Sequence, residues 1–275
     1  MLGVYFIYMN FEIKNFYGID DMRVIMKILR SENGCPWDRE QTHKSIRKDF
    51  LEEVYEAVEA IDLEDTPLLR EELGDVLLQV IFHSCIEEEK NSFNFDDVVN
   101  EVCQKLVTRH PHVFGDVIAN TSEEVLKNWN NIKQKTKGQE TYSETLESVC
   151  TALPALMRAQ KVTARAKRAG MDFSNISDAI ACLEGEIAEL KDAIADGDAD
   201  NIKDELGDVL FSAVNVSRFA EIDAEEALTQ SILKFISRFK KCEELLRLQG
   251  IDMKSLNIDQ LNDYWSKAKQ EKNDT

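Results

Sequence analysis

One stretch of this chain occurs twice. Glu71-Glu72-Leu73-Gly74-Asp75-Val76-Leu77 returns 133 residues later as Asp204-Glu205-Leu206-Gly207-Asp208-Val209-Leu210. Leu51-Glu52-Glu53-Val54-Tyr55-Glu56 returns at the same offset as Glu184-Gly185-Glu186-Ile187-Ala188-Glu189. Further on, Lys105-Leu106-x-x-Arg109 is echoed by Lys234-Phe235-x-x-Arg238, and Trp129-x-x-x-Lys133 by Trp265-x-x-x-Lys269. Four ordered matches point to internal duplication, so the fold must be one that a single repeat can build.

Periodicity says what that unit is. Met22, Ile25, Met26 and Leu29 follow three-and-four spacing, as do Leu51, Val54, Val58 and Ile61, and then Leu69, Leu73, Val76 and Val80. Each set predicts one face of a helix, over 19–30, 45–62 and 68–89, with a break at Asp65-Thr66-Pro67. Helices near 95–109 and 122–135 follow, separated by a loop at His110-Pro111-His112. Only 11 glycines and four prolines punctuate 275 residues, too few for the frequent turns of an all-β fold. The expected fold is all-α, with two tandem helical-bundle modules. We divide the chain into an N-terminal extension at 1–19, a first module at 20–136, a linker at 137–150 and a second module at 151–275. The apolar stretch Met1 to Met9 is too short to span a bilayer and has no basic lead; it reads as a peripheral extension, or as sequence upstream of a true start at Met9 or Met22.

The repeated acids carry the chemistry. Glu53 and Glu56 are three apart and leave one side of a helix, and Glu72 and Asp75 do the same on the next. A short connection makes those helices antiparallel neighbours, so four carboxylates converge. Their mutual repulsion raises each pKa unless a divalent cation relieves it, and an all-oxygen ligand set favours magnesium or manganese. The second copy offers Glu186, Glu189, Glu205 and Asp208 at the same spacing. A lone ExxE is usually a solvated helix face. Here the acids recur with the same intervening length, and Glu72 and Glu205 lie beside apolar stripes. Gly74 and Gly207 also stand mid-helix between the acids, where each costs roughly 1 kcal/mol relative to alanine, so something is expected to approach the backbone closely there. A di-iron bundle would want Glu-x-x-His, which neither copy has; residues 113–275 contain no histidine.

Basic residues supply the other half of a phosphate site. Arg158, Lys161, Arg165 and Arg168 follow three-four-three spacing on one helix face, and Lys234 and Arg238 are an i, i+4 pair. Such groups suit triphosphate oxygens, and equally a face that neutralises acidic neighbours. Trp265, with Lys269 one turn on, is a candidate to stack on a base or to anchor the C-terminal packing. The balance of 33 basic against 52 acidic residues, net −19, speaks against nucleic-acid and membrane partners. Six scattered cysteines without a CxxC pair read as reduced, buried small hydrophobes of a cytoplasmic protein.

The two EExxE…ExxD blocks resemble those of the MazG nucleoside triphosphate pyrophosphohydrolases, within the all-α NTP pyrophosphatase superfamily. Gly34-Cys35-Pro36-Trp37-Asp38-Arg39-Glu40-Gln41-Thr42-His43, Arg109-His110-Pro111-His112-Val113-Phe114 and Leu153-Pro154-Ala155-Leu156 through Ala159-Gln160-Lys161 are similar to that family's runs. The resemblance covers residues 20–270. It implies a tandem member without the methylase domain of some relatives, and hydrolysis between the α and β phosphates with broad base specificity. By position, Glu186, Glu189, Glu205 and Asp208 would hold magnesium, and Lys234, Arg238 and the Arg158–Arg168 face would hold phosphates. The second module would be the main catalytic one, in a homodimer or higher homo-oligomer. Gly185 stands where the first copy has Glu52, which removes one acid of the block, with Glu184 as a possible substitute. A dedicated dUTPase or dCTPase, and a non-catalytic metal-binding oligomerisation module, are the competing readings.

Overall fold

The computed structural model describes residues 11–136 and 138–270. Residues 1–10 of the expected N-terminal extension and Lys137 of the expected linker lie outside the described residues, as do 271–275. The described residues are helical and contain no strand. They divide into two compact units, 1–133 and 134–275.

In the first unit the order is α1 (Ile19–Leu29), α2 (Pro36–Glu40), α3 (Arg47–Asp62), α4 (Thr66–Glu89), α5 (Phe95–Arg109), α6 (Pro111–Phe114) and α7 (Ser122–Thr136), whose last residues cross into the second. The expected loop at 110–112 is thus a tight turn into α6, with Pro111 in the first helical turn, where its missing N–H costs nothing. Helices α3 and α4 pack along each other. Their connection is set by local chemistry: Glu64 takes a left-handed conformation (φ 54°), and the Asp65 carboxylate accepts from the Leu68 amide to cap α4. Met26, Ile46, Ile81, Phe82, Cys85 and Ile86 form the core, flanked by Met22, Leu78 and Phe95.

The second unit runs α8 (Tyr142–Glu147), α9 (Ala155–Arg168), α10 (Ile176–Asp196), α11 (Ala199–Phe219), α12 (Ala224–Leu248), a 3-10 turn at Met253–Ser255 and α13 (Ile258–Gln270). The α10–α11 pair is the most extensive helix contact, and its connection repeats that of α3–α4 at the same offset. Gly197 is left-handed (φ 73°) where the first unit has Glu64, and Asp198 caps α11 where Asp65 caps α4. Cys242, Leu246 and Ala268 form a second core, with Ile251, Met253, Leu256, Leu261 and Tyr264 around it. Helix α8 lies inside the segment read as a linker and packs on α9.

The apolar stripes are not all core, and one expectation, on the cysteines, needs correction. On α3 the buried residues are Ala57 and Ala60, while Leu51, Val54, Tyr55, Val58 and Ile61 are exposed. Leu73 on α4 and Leu206, Leu210 and Phe211 on α11 are exposed as well. Small residues let the paired helices approach, and the larger ones point away from the chain's own seam. The cysteines are all unpaired, but only Cys85 and Cys242 are buried, and Cys103 and Cys150 are exposed.

Candidate metal centre

In the first unit, ligand oxygens of Glu53, Glu56 and Glu72 lie within 4.8 Å of one another; in the second, those of Glu186, Glu205 and Asp208 do. Each cluster takes its acids from both members of a helix pair: α3 and α4, then α10 and α11. The spacing in sequence therefore becomes convergence in space because the short Asp-capped connections fold each pair back on itself. Asp75 and Glu189 fall outside the trios. They remain close enough to act on them electrostatically.

Burial pushes the Glu53, Glu72 and Glu205 carboxyls above the ordinary range. The next contribution to Glu53 is the charge of Asp75, followed by Glu56 and Glu72. For Glu72 it is Glu56 and then Asp75, and for Glu205 it is Glu189, Asp208 and Glu186. Glu72 is 8% exposed, far less than Leu73 beside it at 54%. A buried carboxylate is normally paired with a cation. Among the described residues, no lysine, arginine or histidine forms an ion pair with any of the six clustered acids. Two all-oxygen clusters without a side-chain counterion fit a hard divalent cation.

Glu52 and Glu184 are exposed and lie outside the trios, so the Gly185 substitution removes no clustered oxygen. The expected close approach at the helical glycines is not made by the chain itself. A Cβ on Gly74, Gly185 or Gly207 would meet nothing within 4 Å.

The basic residues separate by role. Arg165 is half-buried, and its guanidinium donates to the Thr145 carbonyl and, at 2.8 Å, to the Ser148 hydroxyl. Burial and the Arg168 charge lower its pKa. It anchors α8 to α9. Arg158, Lys161 and Arg168 are exposed on α9, and Arg168 Nε donates to the Ala164 carbonyl. Helix α9 packs on α11, which carries Glu205 and Asp208, and on α12, which carries Lys234 and Arg238. Lys234 is exposed; Arg238 is half-buried, and its Nε has no hydrogen-bond partner. Trp265 lies 5.0 Å from Phe235 between ring centroids, and Lys269 is exposed beyond it.

Two structural residues carry no mark of their role in the spacing. Gln160 donates to the Ile222 carbonyl and accepts from the Ala224 amide, so one side-chain amide clamps the α11–α12 turn. Arg30 holds Glu89 through two nitrogens at 2.6 and 2.8 Å and donates to the Asp38 and Gln41 carbonyls. Gln160 lies inside a family-like run, which was its signal, whereas no motif marks Arg30; the pairings with Ile222, Ala224 and Glu89, about 60 residues off, leave no period in the sequence. In the first unit the echoing tryptophan is covered from within: Arg109 stands over Trp129 at 5.2 Å, and His110 meets it edge-on at 4.9 Å.

Comparison with known proteins bears on the family. The MazG nucleotide pyrophosphohydrolase domain matches twice, over residues 41–114 and 175–243. The chain is 41% identical over 250 residues to the nucleoside triphosphate pyrophosphohydrolase/pyrophosphatase MazG of Thermotoga maritima, covering 91% of this chain and 95% of that protein. It is 38% identical over 261 residues to the nucleoside triphosphate pyrophosphohydrolase of Escherichia coli K12, covering 93% and 98%. An uncharacterized Bacillus subtilis protein, YabN, is 40% identical over 256 residues, which are 93% of this chain and 52% of that protein. The matches span both acidic helix pairs, and the chain belongs to the MazG nucleotide pyrophosphohydrolase family, whose domain it carries twice.

Proposed function

We propose that this chain hydrolyses nucleoside triphosphates of any common base to monophosphate and pyrophosphate, at a divalent-cation site in its second unit. The observation that carries this reading is the pair of carboxylate trios, in a chain similar along nearly its whole length to proteins named for that activity. Glu186, Glu205 and Asp208, with Glu189 beside them, would hold magnesium or manganese. The bound cation would neutralise phosphate charge and lower the pKa of a water nucleophile. The chain's own cations do the rest. Lys234 and Arg238, one turn apart on α12, and Arg158, Lys161 and Arg168 on α9 would orient phosphate oxygens and stabilise the charge that develops on them. Glu53, Glu56 and Glu72, with Asp75, form the equivalent first-unit cation site. The module limits proposed from the sequence, 20–136 and 151–275, keep each acidic pair within one module. The unpaired cysteines suit the reducing cytoplasm.

The test is an assay of the purified chain against all ribo- and deoxyribonucleoside triphosphates. Monophosphate and pyrophosphate should appear from each, and EDTA should abolish turnover until magnesium or manganese is restored. Diphosphate plus orthophosphate would overturn the bond assignment, and full activity in metal-free buffer would overturn the cation site. Turnover confined to dUTP or dCTP would replace the broad reading by a dedicated one, and none at all would leave a binding module.

A second copy of the chain is the proposed partner. Leu51, Val54, Tyr55, Val58 and Ile61 leave α3 on the side away from Ala57 and Ala60, and such a run on one helix exceeds the scattered exposure of a monomer. Light scattering on the eluting protein should give a mass of at least twice 31.5 kDa. A monomer at micromolar concentration would sink this assignment.

A further inference from the structure

The first unit holds another cluster of titratable side chains, which the proposed reaction does not use. His43 lies in the turn that leads into α3, and His83 and Glu87 lie one turn apart on α4. His43 Nε2 is 2.6 Å from a Glu87 carboxylate oxygen, and His43 Nδ1 is 2.7 Å from His83 Nδ1. The two imidazoles are within 12° of parallel with centroids 4.9 Å apart. With the nitrogens at hydrogen-bond distance, those values describe rings edge to edge in one plane, the geometry of an N–H···N bond. Lys90 holds the same Glu87 oxygen at 2.6 Å, and Phe50 of α3 lies against the His83 ring at 5.5 Å. From α1, Lys27 is paired with Glu88, Arg30 with Glu89, and Arg23 with Asp96 of α5; nearer the rings, Lys44, Arg47 and Lys48 are exposed and Asp49 is half-buried at the start of α3.

Proton counting gives this arrangement a property. The Glu87 carboxylate only accepts, so His43 Nε2 carries a hydrogen. The N···N contact takes one hydrogen, not two. With both rings neutral, His83 Nδ1–H donates to His43 Nδ1. One further proton enters at His83 Nε2, and the central hydrogen passes to His43 Nδ1, which places the charge beside Glu87. A second added proton would set N–H against N–H. In the unfolded chain the two imidazoles bind two added protons independently.

We propose that Glu87, His43 and His83 form a proton-sharing clasp that locks the entry of α3 onto α4, accepts one added proton, and opens when acidification forces a second. The device joins the start of the helix that carries Glu53 and Glu56 to the end of the helix that carries Glu72. It stands whether or not the cation site does.

The sign follows from the groups involved. Burial, and then the charge of His43, hold His83 below the ordinary imidazole value. A depressed value means stability that is present above about pH 6.5 and is lost as pH falls below it. Glu87 is pushed down to about 2 by Lys90 first and His43 second, so its own contribution is lost only in a much more acidic range. The experiment is a titration of the full chain by nitrogen-15 NMR of the imidazoles, assigned with His43→Gln and His83→Phe. The His43 and His83 signals should move together and account for one proton. Hydrogen exchange of the α3 amides, corrected for intrinsic rates, should show the opening constant rising about tenfold per pH unit below about 6.5. His83→Phe keeps an aromatic ring against Phe50 and should flatten that rise. Two independent one-proton titrations with ordinary midpoints in the wild-type chain would overturn the clasp.

Discussion

Replacing Glu205 or Asp208 by alanine is expected to abolish most turnover, a loss of roughly a hundredfold or more, while Glu72→Ala and Asp75→Ala cost less. Loss of even an outer partner of a bound metal costs about 10- to 100-fold, and these two acids offer oxygens to the cluster itself. The asymmetry rests on the cations around each site. In the second unit, α9 brings exposed Arg158, Lys161 and Arg168 against the helix that carries both acids, and α12 adds Lys234 and Arg238. In the first unit the echoing Arg109 stands over Trp129, which engages its charge with a ring of its own unit. The measurement is kcat for the four single variants, with circular dichroism to confirm folding. Folded but inactive first-unit variants beside active second-unit ones would reverse the assignment.

Gly34→Ala is expected to unfold the first unit's entry, at a cost of at least about 3 kcal/mol. A Cβ at Gly34 would lie 2.2 Å from the Ile28 carbonyl oxygen and 2.3 Å from that of Leu29. Both oxygens are engaged: Ile28 accepts from the Ser31 amide and hydroxyl, and Leu29 accepts from the Cys35 amide at 2.8 Å. The loop cannot slide to make room, because Arg30 grips its far side through the Asp38 and Gln41 carbonyls. Gly185→Ala is the matched control. It sits mid-helix in open space and should stabilise by up to about 1 kcal/mol. Thermal unfolding followed at Trp37 and Trp129 measures the difference, and an unchanged midpoint for Gly34→Ala would show that the turn relaxes.

Local rules made much of this protein legible in its sequence. Three-and-four spacing located α1, α3 and α4, because an amphipathic helix records its period wherever it lies. The repeated acids announced two carboxylate clusters, since a short capped turn leaves paired helices few ways to meet. Tertiary structure alone decided the rest. Periodicity shows that a stripe is apolar but not what covers it, and only the packing shows that Leu51, Val54 and Val58 are left exposed by their own chain. Spacing put four acids on each helix pair, and side-chain direction brought only three into each trio. Arg165 belonged to a basic face by spacing, yet a carbonyl and a hydroxyl on a neighbouring segment took its guanidinium. His43 and His83 stand 40 residues apart with no pattern between them. Partners so distant in sequence leave no period behind, and only the packing of the 42–46 turn onto α4 brings their nitrogens together.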